Sequence, residues 1–475
     1  MKSLIQLFLF CVWLAPAYAT NYYVSSLIGN DFNQGTSQQH PFKTLQKAAN
    51  QVQPGDNVYV MNGTYTNSDN EPGFYQSQVV FMMHSGTPQA WITFEALEGH
   101  HPVIVVQQAF GIRIVAAEPF HTKGTLAYIR IKNLTIVGNS KQIPLCDALN
   151  QPRSCNQHDG DVNWNYNGSG ISIGSENRYA ENGNVVHHVE VINCDVSNCA
   201  AAGISAYRCD YVTISQCKVY NNGAKSTFGS SGIHIYNPRN TNSASTDERR
   251  NHFIISRNEV FNNRNEVPFF NGKKCKGYTD GNGIIIDDAN NTQSNKEKFI
   301  GDILIENNVI YENGGSGMTI FQSDNVTIRN NSTYKNCQFT PDRKKRAEML
   351  VVQANNIQIT NNIFYAREKQ RGYYKGSKCK NIDANTNIVF NSKKNSGLKN
   401  YSKDNPMYTA ISDSNKTYTS CEDTVFEIID QCTPKNLQLL PESAARGKAN
   451  TANLPETDFT GAKFSKNSGN LGAYQ

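Results

Sequence analysis

Beyond residue 19 the sequence has no apolar run long enough to cross a bilayer, so no membrane-spanning helix is expected in the rest of the chain. No Cys–His spacing suits a zinc site. Leucine does not recur at a fixed period and strong helix formers are scarce, which excludes a leucine-rich solenoid with a helical segment in every repeat. Charge of one sign is also lacking. A formal +5 over 475 residues supplies no basic tract for nucleic acid and leans only slightly toward anionic partners.

Asn, Gly, Thr, Ser and Tyr are plentiful instead, and they are arranged in a repeat. The phrase Val189-Glu-Val-Ile-Asn-Cys-Asp-Val196 returns at 212–219, 253–260, 303–310, 326–333 and 357–364. A second phrase alternates with it, starting at Gly170, Gly203, Gly232, Gly283, Gly317 and the glycine-less Glu348. Both are short, alternating and rich in β-branched residues, so each reads as a strand with one face in and one face out. One repeat cannot bury its own apolar face, but a stack of repeats can.

Asparagines fall into two columns, Asn258, Asn308, Asn331, Asn362 and Asn222, Asn263, Asn313, Asn336, with cysteines at the preceding positions. Inward amides at a turn can bond the amides above and below, as in other piled sheets. Tyr220, Phe261, Tyr311, Tyr334 and Tyr365 form an aromatic column between them. Like positions lie as little as 23 residues apart (194 to 217, 308 to 331), which suits three short strands and three turns per coil. The fold expected is all-β: a right-handed parallel β-helix.

Residues 1–19 read as a secretory signal peptide, with Lys2, an apolar run from Leu4 to Leu14, and Ala17-Tyr-Ala19 as the cleavage site. A secreted monomer is therefore expected, the β-helix over 20–395 and a tail of little pattern over 396–475, packed along the outside or capping the carboxyl end. Export permits disulfides, and Cys146–Cys155 and Cys421–Cys432 are the natural local pairs. Within 20–65, a helix over 42–52 presents Phe42, Leu45, Ala48, Ala49 and Val52 on one face. Such a helix would plug the open end of the stack, where core and unpaired strand edge are otherwise bare.

The opening Asn21-Tyr-Tyr-Val-Ser, Gly29-Asn-Asp31, Pro41-Phe-Lys-Thr-Leu-Gln-Lys-Ala48 and Pro54-Gly-Asp-Asn-Val-Tyr-Val60 resembles that of family 9 polysaccharide lyases. Pro102-Val-Ile104 and the ending Gly472-Ala-Tyr474 resemble the wider pectate-lyase-like superfamily. The resemblance implies a pectin-lyase-like solenoid and a secreted protein acting on an anionic polysaccharide by β-elimination. It also implies calcium on a cluster of aspartates and a lysine as base.

Spacings between the glycine phrases grow to 29, 51 and 34 residues, so insertions fall at about 237–251, 264–281 and 289–301, all around the coil Asp280–Asp288. Long loops around one spot of a rigid stack build a substrate site. Alternation places Ser172, Ser205, His234, Ile285, Thr319 and Leu350 in one outward column, and Gly174, Tyr207, Tyr236, Asp287, Phe321 and Val352 in the next. Asp287 then lies between Tyr236 and Phe321, with His234 diagonal to it.

The candidate catalytic residues are Asp287, Asp288, Asp280, His234 and Glu348. Tyr207, Tyr236, Phe321, Lys273 and Lys274 are the candidates for binding sugar. Asp287 and Asp288 are the pair for calcium, and the lysines at 273–276 stand for the base. Asp159 and Asp161 are a reserve site. Elimination is the first expectation, with hydrolysis by two carboxylates and glycan binding without cleavage as its alternatives.

Overall fold

A computed structural model describes residues 19–70, 77–117, 125–176, 180, 183–241, 250–339, 346–392, 401–406, 437–464 and 469–475. The proposed signal peptide, apart from Ala19, and the Cys421–Cys432 pair lie outside these residues. Three parallel sheets wind along the chain. Sheet A begins with Asn21–Val24 and Asn57–Val60, sheet B with Thr64–Thr66 and Val103–Val105, and sheet C with Gln78–Phe81 and Phe110–Ala116. Among the described residues the sheets hold eleven, eleven and nine strands. This is the expected right-handed parallel β-helix.

One coil shows how the sequence makes the turns. Ile204–Tyr207 lies in sheet C, Cys209–Ser215 in sheet A and Lys218–Tyr220 in sheet B. Arg208, Gln216 and Asn221, which close the corners, take left-handed φ angles of 46°, 58° and 57°. The residue after Gln216 or Asn221 points inward, and there the asparagine columns stand. Asn258 donates its amide to Asn308 (3.0 Å), Asn308 to Asn331 (2.9 Å), Asn331 to Asn362 (2.9 Å) and Asn362 to Asn387 (3.0 Å). The second ladder runs from Asn222 through Asn263 and Asn313 to Asn336 at 2.8–3.0 Å. These amides are almost wholly buried, and each also satisfies backbone groups at its corner.

The apolar core fills the rest of the bore, with Ile171, Ile204, Ile233, Ile284, Met318 and Met349 stacked along one wall. Phe42, Leu45, Ala48, Ala49 and Val52 join this core, so the amino-terminal cap uses the expected face. Its helix is shorter than expected, Leu45–Gln51, because Thr44 caps it by accepting the Lys47 N–H at 3.1 Å. Asp31 fixes that cap by accepting from the Lys43 and Thr44 backbone and the Thr44 hydroxyl.

The tail lies along the outside. Leu437, Leu439, Ala445, Leu471 and Ala473 cover the aromatic column on sheet B, whose rings stack from Tyr220 through Phe261 to Tyr311 at 4.8–4.9 Å. The expected Cys146–Cys155 bond is corrected: Cys155 pairs with Cys275, 120 residues away. The reason is geometric, since the excursion over 141–166 folds against the loop over 264–281 rather than closing on itself.

Removing a ladder rung is expected to cost more than an ordinary polar substitution. Asn308→Ala strands the Asn258 amide and backbone N–H inside the stack and should lower stability by about 2–4 kcal/mol. Asn356→Ala, which breaks an exposed amide pair, should cost about 0.5 kcal/mol or less. Denaturant unfolding of the two variants checks the contrast.

Candidate active site

Sheet C carries the site because both of its flanking turns are long in the middle coils. Register confirms the two outward columns. Tyr207 pairs with Tyr236, Tyr236 with Asp287, Asp287 with Phe321, and His234 with Ile285. Asp287 is half-buried, with Oδ2 3.8 Å from His234 Nε2 and Oδ1 within 3.4 Å of the Gln293 side-chain amide. A separation of 3.8 Å is too long for a hydrogen bond, and His234 Nε2 is a buried nitrogen without a partner.

Asp280 enters from the loop before the strand Ile284–Asp287. Its carboxylate takes the Thr279 hydroxyl at 2.6 Å and the Asn282 amide at 3.2 Å. It packs against Gly229, where φ is +67° and a Cβ would collide with Asp280 Oδ2. Burial pushes the Asp280 carboxyl up to about 6, with Asp287 adding to the rise and His234, Thr279 and Arg346 opposing it. Asp280, His234, Asp287 and Arg346 therefore share one field. Arg346 is buried and donates to Asn282 Oδ1 at 3.2 Å and to the Tyr278 carbonyl.

Tyr236 and Phe321 flank Asp287 as expected. Burial, with Asp287 and Asp288 nearby, raises the Tyr236 hydroxyl above its ordinary value. Tyr207 lies one coil further along the column, its ring over Gly174 and its hydroxyl against Arg113. Lys273 and Lys274 are exposed on the hairpin Phe269–Phe270/Cys275–Gly277, where the Asn271 side chain accepts from both backbone N–H groups. Asp159 and Asp161 are exposed in the excursion.

Two expected residues belong to the scaffold. Asp288 is fully buried with φ 54°, and its oxygens accept from the Thr292 N–H and hydroxyl, the Gln293 N–H and the Asn237 amide. It caps the loop over 289–301. Calcium seeks about six to eight oxygens. With Asp288 committed to its loop only Asp287 is left of the pair, and among the described residues no three His, Cys, Asp or Glu group so as to hold a metal. The pair does not fit the ion.

Glu348 ends the second asparagine ladder, accepting the Asn336 N–H at 2.8 Å and its amide at 2.6 Å. From Gly203 to Gly317 a ladder amide stands in the space a Cβ would take; at Gly232 a Cβ would meet Asn263 Nδ2 at 2.6 Å. Above the last asparagine that space is free, and the Glu348 side chain occupies it.

Sequence reasoning missed Arg346 and Asn282. Arg346 ends a basic run, Arg343-Lys-Lys-Arg346, that reads as a solvated loop, and Asn282 sits between two glycines. The one available signal was the placement of both at the start of a sheet C strand beside the longest insertions.

The family described as right-handed β-helix region matches residues 149–339 and 296–415, together more than half of the chain. The chain belongs to the right-handed β-helix family. A protein family of unknown function, DUF1565, matches residues 27–74, over the amino-terminal cap. No curated protein sequence matches the chain. Among solved structures, this β-helix is similar to pectate lyase Pel9A at 17% identity, covering 97% of each chain with a TM-score of 0.50. It is similar to a glycoside hydrolase at 11% identity, covering 81% of this chain and 95% of that one, also at 0.50. A rhamnogalacturonan lyase follows at 15% identity over 78% and 87%, with a TM-score of 0.40. At such identities the likeness establishes the fold, and chemistry must be read from the residues.

Burial pushes the Glu348 carboxyl up to about 8. Between the ordinary carboxyl value and about 8 the folded protein holds a proton that the unfolded chain has released, so Glu348 makes stability fall as pH rises through this window. Glu348→Gln, which removes the titration, should flatten the decline in Tm over that window. An unchanged slope would contradict the assignment.

Proposed function

We propose that the protein is a carbohydrate-active enzyme that cleaves a polysaccharide on sheet C, by hydrolysis between Asp280 and Asp287. The observation that carries this reading is that two carboxyl groups, Asp280 and Asp287, act on one another's charge beside His234, and that one of them is raised. Asp280 is held protonated to about pH 6 by burial, while Asp287 stands half-buried between two aromatic rings. A carboxyl group raised in this way can give up a proton as an acid, with a second carboxyl group beside it as its partner.

Asp280 is the proton donor to the leaving oxygen. Asp287 is the opposing carboxylate, either activating water or attacking the sugar carbon itself. Tyr236 and Phe321 offer apolar ring surface for a pyranose above and below Asp287. His234 presents its unpartnered Nε2 to the same space as a hydrogen-bond donor or acceptor for a sugar hydroxyl. Arg346 holds Asn282 and the Tyr278 carbonyl in place, and through them the Asp280 loop. The proposed export signal would deliver the enzyme to the compartment where such polymers occur.

β-Elimination of a uronate polymer is the second reading. It is favoured by the likeness to pectate lyase Pel9A over 97% of both chains and by the lyase-like opening. It asks for a cation or guanidinium on the sugar carboxylate and a base for the C5 proton. Arg346 is a cation whose charge acts on Asp280.

One assay separates the readings. The protein is incubated with pectic, other uronate and neutral polymers, with calcium and with chelator. Hydrolysis releases reducing ends without ultraviolet absorbance, whereas elimination leaves a conjugated double bond that absorbs. We expect reducing ends alone, unaffected by chelator, and a loss of activity on the order of 100-fold or more in Asp280→Asn and Asp287→Asn with the melting curve retained. Absorbance would establish elimination, and no product on any polymer would leave a binding protein.

A further inference from the structure

The column that holds His234 continues toward the amino terminus through Ser205 and Ser172 to Arg113. Three coils separate Arg113 from His234, roughly 14 Å at about 4.8 Å per coil. Ser172 is buried and Ser205 half-buried, so the small side chains between leave the relief to the residues on either flank.

Arg113 is half-buried, with its guanidinium carbon 4.7 Å from the Phe110 ring centre and 5.5 Å from that of Phe81. Nη1 donates to Gln78 at 3.2 Å, and the Tyr207 hydroxyl lies beside it. Nε has no partner although it is buried. No carboxylate is bonded to this guanidinium within the described residues.

On the flank where the chain enters sheet C, three rings form a row. Phe110 and Trp164 are 5.6 Å apart, and Trp164 and Phe228 are 6.0 Å apart. Trp164 is 50% exposed and Phe228 38% exposed, although rings of this size are normally covered. They are held rigidly. Asn167, at the end of the turn carrying Trp164, accepts from the Ser226 hydroxyl and the Thr227 N–H next to Phe228. Gln151 donates to the Lys225 carbonyl at 2.8 Å. The Cys155–Cys275 bond ties this excursion to the loop that carries Asp280. The exposed rings and the acid are thus parts of one cross-linked wall, and Lys273, Lys274 and Lys276 stand exposed on the same hairpin as Cys275.

We propose that the face from Arg113 to His234 is an extended subsite for a carboxylate-bearing polysaccharide, a polyuronate. Trp164 and Phe228 stack on pyranose faces and Arg113 takes a sugar carboxylate about three coils from the reacting bond. The exposed lysines draw the anionic chain toward the wall. The inference rests on the hydrolytic reading only for the position of the reacting bond; the subsite itself is a matter of binding.

The test measures affinity by calorimetry on the Asp280→Asn background, so that ligand is not consumed. The probes are short and long oligomers of galacturonate, mannuronate and glucuronate, with neutral cello-oligomers of matched length. For at least one uronate series affinity rises with length and exceeds that of the neutral series. Trp164→Ala and Arg113→Gln each lower the affinity for the long members about ten-fold and spare the shortest. Arg113→Gln leaves the neutral series unchanged, and Trp164→Phe restores most of the loss.

Equal affinity of parent and variants, with melting curves intact, overturns the subsite. So does a uronate series bound no better than the neutral one. The two readings fail separately. Uronate binding that depends on Arg113 and Trp164, without cleavage by the unmutated protein, keeps the subsite and removes the enzyme. Cleavage of long polymers with unaltered KM in both variants keeps the enzyme and removes the subsite.

Discussion

The buried amide ladder is the constraint on which the rest depends. A β-helix must reverse direction at every corner without water to satisfy the backbone there, and each corner asparagine answers that need by bonding the next asparagine and a nearby carbonyl. Because every rung repeats the same geometry, the coils are held in strict register. Column neighbours such as Tyr236, Asp287 and Phe321 then face one another although 34 to 51 residues of chain separate them. The ladders even dictate composition elsewhere. They occupy the space beside the glycines of sheet C, and they place a carboxyl group, Glu348, in the first coil where that space is vacant.

On that scaffold the site is made by exceptions. The middle coils carry long loops on both flanks of sheet C, and those loops bring Asp280, Asn282 and Arg346 to a face that the strands alone would furnish only with His234 and Asp287. The disulfide and the excursion over 141–166 lock one flank. The outcome is a rigid wall of acid, imidazole and aromatic groups, organised before any ligand arrives, as preorganised sites require.

Much of this was legible because alternation and stacking are local rules with global consequences. The repeat named the fold, and period two named both outward columns residue by residue, so Tyr236, Asp287 and Phe321 could be placed together without coordinates. What failed to be legible depended on depth rather than on order. Glu348 and Asp288 look functional in a sequence because each interrupts a pattern, yet one closes a ladder and the other caps a loop. Asp280 lies in an insertion and Arg346 in the connection before the strand Met349–Val352, where no period tells which way a side chain turns. Cys155 and Cys275 are 120 residues apart, and spacing alone favoured the nearer Cys146.

Asp280, partly buried and raised to about 6, is the proposed acid of the reaction on sheet C. Its most direct test is the pH dependence of kcat/KM on the preferred polymer, which reports the free enzyme's groups. A donor that releases its proton near pH 6 makes activity fall as pH rises through about 6, by about ten-fold per unit beyond it. A profile that stays level from there to neutral pH and above would rule out Asp280 as the proton donor.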